Sequence, residues 1–138
     1  MEWKGSSENE LENMIKYLEL PNYNGSYYIF ELNKQKIKDG YYLILIRINI
    51  NEIGHLVGSC KKEKEVFYFD SFFAPVPKEI RKFCKGYRIY NCQSFDGIFP
   101  DKPIQKYNED ICGELVILFF LLCSLGYTFR DIIISLNK

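Results

Sequence analysis

An α+β domain is the fold class that this 138-residue sequence predicts, and three observations predict it. Apolar residues at helical spacing stand near both ends of the chain. β-Branched and aromatic stretches, bounded by turn dipeptides, fill the middle. The elements then run helix, strands, helix, strand, helix.

The first helix opens at Ser7-Glu8-Asn9-Glu10. This is a capping box in which Ser7 accepts from the Glu10 amide and Glu10 reaches back. Leu11, Met14, Ile15 and Leu18 follow on one face, and Pro21 ends the helix. Asn24-Gly25 marks a turn, and Asp39-Gly40 marks another. Between them, residues 27–32 read equally as strand or short helix. Residues 41–50 start with almost no polar break and then alternate Ile46, Ile48 and Ile50 with Arg47 and Asn49, as a central strand does. Residues 55–60 and 65–69 make a second and third strand. The run Lys61-Lys62-Glu63-Lys64-Glu65 joins them as a solvated hairpin turn, since its mixed signs make a poor binding patch. Pro75 and Pro77 open a helix whose inner face is Ile80, Phe83 and Cys84. Residues 87–90 form a fourth strand. A loop with Gly97, Pro100 and Pro103 then leads to Gln105, and the last main helix runs from near Cys112 to near Gly126.

The length suits a single domain, 1–138, that buries a core without staples. Charge balances at 18 basic against 18 acidic residues, so no global field favours nucleic acid or a membrane surface. The cysteines are Cys60, Cys84, Cys92, Cys112 and Cys123. They are odd in number, contain no CxxC pair, and come with one histidine, so reduced thiols are expected rather than a zinc site. That usage, with a polar N-terminus lacking a signal peptide pattern, predicts a cytoplasmic or nuclear protein. The apolar run 115–122 is far short of the ~20 residues of a membrane span and reads as a buried helix.

Four residues suggest chemistry. His55 starts one hairpin strand and Asp70 follows the other, so the open end of the hairpin sets imidazole beside carboxylate. Cys112 starts the apolar helix, where unpaired amides and the helix dipole favour a thiolate. Gln105, on the preceding loop, offers an amide to a developing oxyanion. Each piece has an ordinary explanation as well: a structural histidine, a turn-forming aspartate, a core thiol such as Cys123, a loop glutamine.

The quoted residues nevertheless form a pattern. "GHLVG" at 54–58, "FYFDSFF" at 67–73, Gln105 and "CG" at 112–113 resemble the adenovirus-protease (adenain) type of cysteine peptidase, a group related to the SUMO-specific proteases. The order His, acid, Gln, Cys distinguishes that group from papain-like enzymes, in which the cysteine comes first. "GSSENELENMIKYL" at 5–18 and the stretch 23–49 extend the resemblance over nearly the whole chain. The chain departs from the family in three ways. Leu56 stands where the family has Trp, Phe73 stands where it has Gly, and the sequence runs only a short way past the cysteine helix.

The resemblance implies a papain-like, adenain-like fold, with a mixed central sheet flanked by helices and the nucleophile at the start of a buried helix. It implies that Cys112 is the nucleophile, that His55 is the base and then the acid, and that Asp70 orients His55. Gln105 and the Cys112 amide would form the oxyanion hole. Gly54, Leu56 and Gly113 would border the substrate groove. The implied activity is endopeptidase cleavage after small residues, in Gly-Gly or Gly-X-Gly contexts, of viral capsid or core precursors. This would take place in the host-cell cytoplasm or nucleus and the virion. No cofactor is needed for the chemistry. An activating viral peptide disulfide-bonded to Cys92 is a further implication, whereas DNA gains no support from the neutral charge. The competing expectations are a SUMO- or ubiquitin-like isopeptidase and a non-catalytic binding module on the same fold.

Overall fold

The computed structural model describes residues 8–46, 54–92 and 112–136. Among the described residues, strands β1 (Tyr23–Tyr28), β2 (Gly40–Ile46), β3 (His55–Lys62), β4 (Glu65–Phe69) and β5 (Arg88–Tyr90) form one five-stranded sheet in sequential order. The β2–β3 and β3–β4 pairs are antiparallel, while β1 joins β2 and β5 joins β4 in parallel. The fold is therefore α+β with a mixed sheet. Helices α1 (Glu8–Leu18), α3 (Cys112–Ser124) and α4 (Phe129–Leu136) supply the core on one face. Helix α2 (Lys78–Phe83) and a short 3-10 helix (Ile29–Lys34) supply it on the other.

Alternation along the strands builds both cores. In β2, Tyr41 and Leu43 join the α3 side, and Tyr42 and Ile44 join the α2 side. In β4, Phe69 packs with α3, while Val66 and Tyr68 pack with α2. A sheet covered on both faces needs apolar residues at every position, which is why the first part of β2 shows no polar break.

Helix α3 lies unusually close to β3 because two side chains are missing. A Cβ at Gly58 would stand 2.6 Å from Val116 Cγ1 and 2.8 Å from Phe120 Cε1. A Cβ at Gly113 would stand 2.7 Å from Leu11 Cδ1 and 3.1 Å from Leu56 Cδ1. Cys112 meets Leu56 at one end of the pair, and Cys123 meets Cys60 at the other. The helical rise from Cys112 to Cys123, about 16 Å, nearly matches the strand rise from Leu56 to Cys60, about 13 Å. Helix and strand thus run side by side.

Several local expectations change. Helix α1 stops at Leu18, ahead of Pro21, because Glu19 adopts φ 52° and returns its N–H to Lys16 O at 3.1 Å. Asn24-Gly25 is no turn. It lies inside β1, where Gly25 at φ 111° sits at a break in register between Tyr23 and Ser26. The ambiguous segment 27–32 is both things at once, strand to Tyr28 and 3-10 helix from Ile29. Gly40 is required at the start of β2, since it has φ 125° and a Cβ there would lie 1.9 Å from Asn22 O. The charged run is solvated from Lys62 onward, but Lys61 is buried. Its Nζ binds Asp39 Oδ1 at 2.5 Å and Glu63 O at 2.7 Å.

Helix α4 was not anticipated. Thr128 Oγ1 caps it by accepting from Asp131 N–H at 3.1 Å, and Phe129, Ile132 and Ile133 are buried. The Thr-x-x-Asp cap ahead of a helical apolar spacing was the available signal. The Ser7 side of the first capping box and residues 47–50 of the predicted strand lie outside the described residues. No helix among the described residues is long and apolar enough to cross a membrane.

Candidate active site

The β3–β4 ladder runs from Lys62↔Glu65 beside the turn to Gly58↔Phe69 at the open end. Beyond that last pair β3 stays paired to β2 but no longer to the segment after β4, and the side chains of His55 and Asp70 meet there. His55 Nε2 donates to Asp70 Oδ1 at 2.6 Å. Asp70 is 3 % exposed, so its charge must be met by donors, and two meet it. The second is the Phe72 N–H, at 2.8 Å from the same oxygen. The Asp70 backbone is pinned too: its carbonyl accepts the Phe73 N–H at 2.9 Å and the Cys92 thiol at 3.8 Å. Asp70 is thus a turn former and a charged partner at the same time. The Phe72 ring covers His55, with centroids 4.4 Å apart.

Cys112 is the first residue of α3 and is 4 % exposed. Its sulfur accepts the Leu56 N–H at 3.4 Å, from the residue that follows His55. Cys112 also stands close enough to the imidazole to raise its pKa. With Nε2 directed at Asp70, Nδ1 is the nitrogen left for the thiol. Burial pushes the His55 pKa down. The hydrogen bonds and charges of Asp70 and Cys112 outweigh it, and the pKa is raised to about 9. Near neutral pH the site therefore holds an imidazolium between a carboxylate and a sulfur.

The structure brings His55, Asp70 and Cys112 together. Gln105 lies outside the described residues. Gly54, Leu56 and Gly113, expected along the substrate groove, are all buried. Leu56, 5 % exposed, packs in the α3-side core and forms part of the floor under Cys112. Cys92 is buried, and burial pushes its thiol up to about 12, which suits a packing thiol holding the Asp70 backbone. No group of three or more metal-ligating side chains occurs among the described residues. Sequence reasoning missed Phe72 and Gly58. The first was signalled by its place two residues after Asp70, where an Asx-type amide contact forms. The second had no signal, because the close approach it permits is made by a helix far along the chain.

No family model matches the sequence, and no curated protein matches it. Among solved structures the chain is similar to the SUMO protease Ulp1 with its catalytic cysteine oxidized to a sulfinic acid. The identity is 19%, the match covers 92% of this chain and 71% of that one, and the TM-score is 0.45. The sulfenic acid form of the same protease matches at 20% identity over 92% of this chain and 71% of that one, with a TM-score of 0.44.

Proposed function

We propose that this chain is a cysteine peptidase, with Cys112 as nucleophile, His55 as base and acid, and Asp70 as the group that orients His55. One observation carries the reading. The only histidine of the sequence is held between a buried carboxylate and a thiol at a helix start. Nucleophile, base and orienter as neighbours, with base and orienter hydrogen-bonded, is the arrangement that nucleophilic catalysis needs.

In the reaction, the proton of the Cys112–His55 pair already rests on the imidazole, and the Cys112 sulfur attacks the scissile carbonyl carbon. The Cys112 N–H, with the Gln105 side-chain amide as a second donor, receives the oxyanion. The imidazolium then protonates the leaving amine, and the C–N bond breaks to leave a thioester. His55 next takes a proton from water, the resulting hydroxide attacks the thioester, and the acid product departs with Cys112 restored. Asp70 stabilises the imidazolium in both halves without itself taking the proton.

For substrate, we propose protein chains cut after small residues in Gly-Gly or Gly-X-Gly contexts, with virion precursors as the biological class. Gly54, Leu56 and Gly113 would shape the groove from beneath, by fixing where Cys112 sits. The test is cleavage of Gly-Gly and Gly-X-Gly peptides, beside a SUMO-type diglycine conjugate, by wild type and Cys112→Ala. Peptide cleavage lost in Cys112→Ala supports the proposal. Release from the conjugate alone would transfer the protein to the isopeptidase class. A folded wild type that cleaves nothing, and whose Cys112 resists a thiol-reactive peptide probe, would make it a binding module.

A further inference from the structure

A second thiol pair lies at the far end of the α3–β3 contact. Cys60 is on the strand face that α3 covers, and Cys123 is in the last turn of α3. Both are free and partly exposed, both pack against the same core, and each thiol shifts the pKa of the other. Both also line one open groove of about 760 Å³, walled by Phe67, Tyr90, Tyr127 and Phe129. That volume lies within the roughly 300–1,000 Å³ of small-molecule sites. Around its mouth, Lys62 and Arg130 are offset by Glu63, Glu65 and Asp131, so the groove has no strong preference for a charged visitor. Two thiols that line the same accessible groove from facing elements are positioned for thiol–disulfide exchange, which needs access and a second sulfur within reach.

We propose that Cys60 and Cys123 form a second, non-catalytic thiol site that reacts with small organic disulfides and closes into a Cys60–Cys123 disulfide. The two sulfurs have different roles. Hydrogen bonding from Cys123, the Lys62 charge and the Tyr41 hydroxyl lower the Cys60 thiol pKa against the opposing effects of burial and the Asp39 charge. Cys123 is raised by the same hydrogen bond and by burial. Cys60 is therefore the attacking sulfur and Cys123 the resolving one. In the first step Cys60 sulfur bonds to one sulfur of RS–SR, the S–S bond breaks, and RS⁻ leaves to take up a proton. In the second, Cys123 loses its proton and attacks the Cys60 sulfur, and the second RS⁻ leaves and is protonated. Two protein thiols and one small disulfide become one protein disulfide and two small thiols. The new bond ties β3, which carries His55, to α3, which carries Cys112. The proposal does not depend on the peptidase reading.

The test uses the full chain and hydroxyethyl disulfide, a neutral probe. After exposure under native conditions, free thiols are alkylated and the digest is read by mass spectrometry. The expected result is a cross-linked Cys60–Cys123 peptide and a melting temperature raised by about 5 °C or more, reversed by reductant. The same cross-link should form in Cys112→Ala. In Cys123→Ala the reaction should stop with one hydroxyethylthio group on Cys60. A stable mixed disulfide on wild-type Cys60 with Cys123 still free would overturn the proposal. So would modification of the buried Cys84 and Cys92 at the rate of Cys60, because that would report unfolding rather than a site.

Discussion

At the scale of single residues, the unusual feature is a histidine that stays protonated well past neutrality. Its pKa of about 9 rests on Asp70 and Cys112 overcoming burial. In the proposed reaction the imidazolium is the acid that releases the amine, so cleavage should hold up to weakly alkaline pH and decline near about 9. Asp70→Asn removes a raising partner. The alkaline limb should move to lower pH and kcat should fall ~10²–10⁴-fold. A pH series of kcat for both proteins checks this; an unmoved limb would mean that another group sets it. Phe73 is the second residue of interest. It holds φ 57°, a conformation that costs a side chain roughly 1–2 kcal/mol and glycine almost nothing. Glycine is the residue that the adenain resemblance places there. Phe73→Gly should therefore be more stable than Phe73→Ala by about 1 kcal/mol, the reverse of the usual order, as read by urea denaturation.

At the scale of elements, the pairing of α3 with β3 sets the site. Gly58 lets Val116 and Phe120 settle on the strand, which places the start of α3 beside Leu56 and His55. Gly58→Ala adds a methyl where less than 3 Å is available, so either the helix or the strand must move. Overpacking of this kind costs about 1–3 kcal/mol, and the displaced Cys112 should lose activity beyond what stability explains. Adding Val116→Ala should restore part of both, and a thermal melt with a kcat measurement on the double variant tests the coupling. The two cysteines of α3 separate by the same logic. Cys112→Ser should abolish cleavage, whereas Cys123→Ser, at the opposite end of the helix, should leave kcat/KM nearly intact. Loss of activity in a folded Cys123→Ser protein would place the nucleophile at the wrong end.

For the molecule as a whole, the histidine couples the site to folding. Its folded pKa of about 9 lies above the unfolded value of about 6.5. The folded state binds the proton more tightly, so the stabilisation is complete below about pH 6.5 and is lost as pH rises through about 9. The shift corresponds to roughly 3 kcal/mol, a large share of the stability of a domain this size. Unfolding free energy should thus fall between pH 6.5 and 9.5 in wild type and vary much less in Asp70→Asn. A flat wild-type profile would show that the folded and unfolded states hold the proton equally. Lys61 gives the sheet a second charged fastening, from β3 to Asp39 just ahead of β2.

The sequence by itself determined the elements whose signals are local. Apolar spacing marked α1 and α3, β-branched runs marked β2, β3 and β4, and Pro77 marked the start of α2. The places of His55, Asp70 and Cys112 were legible because they depend on those elements: a strand start, a strand end, a helix start. Tertiary structure alone decided the parallel pairing of β1 and β5 at the two edges, because parallel partners lie apart in sequence and share no turn. It also decided that Asn24-Gly25 would be absorbed into a strand and that Lys61 would be buried, since partners from other elements outweigh local preference. The meeting of Cys112 with His55 belongs to that second kind. It depends on the space left by Gly58 and Gly113, and a missing side chain gains its meaning only when the helix that fills its place has been brought there by the fold.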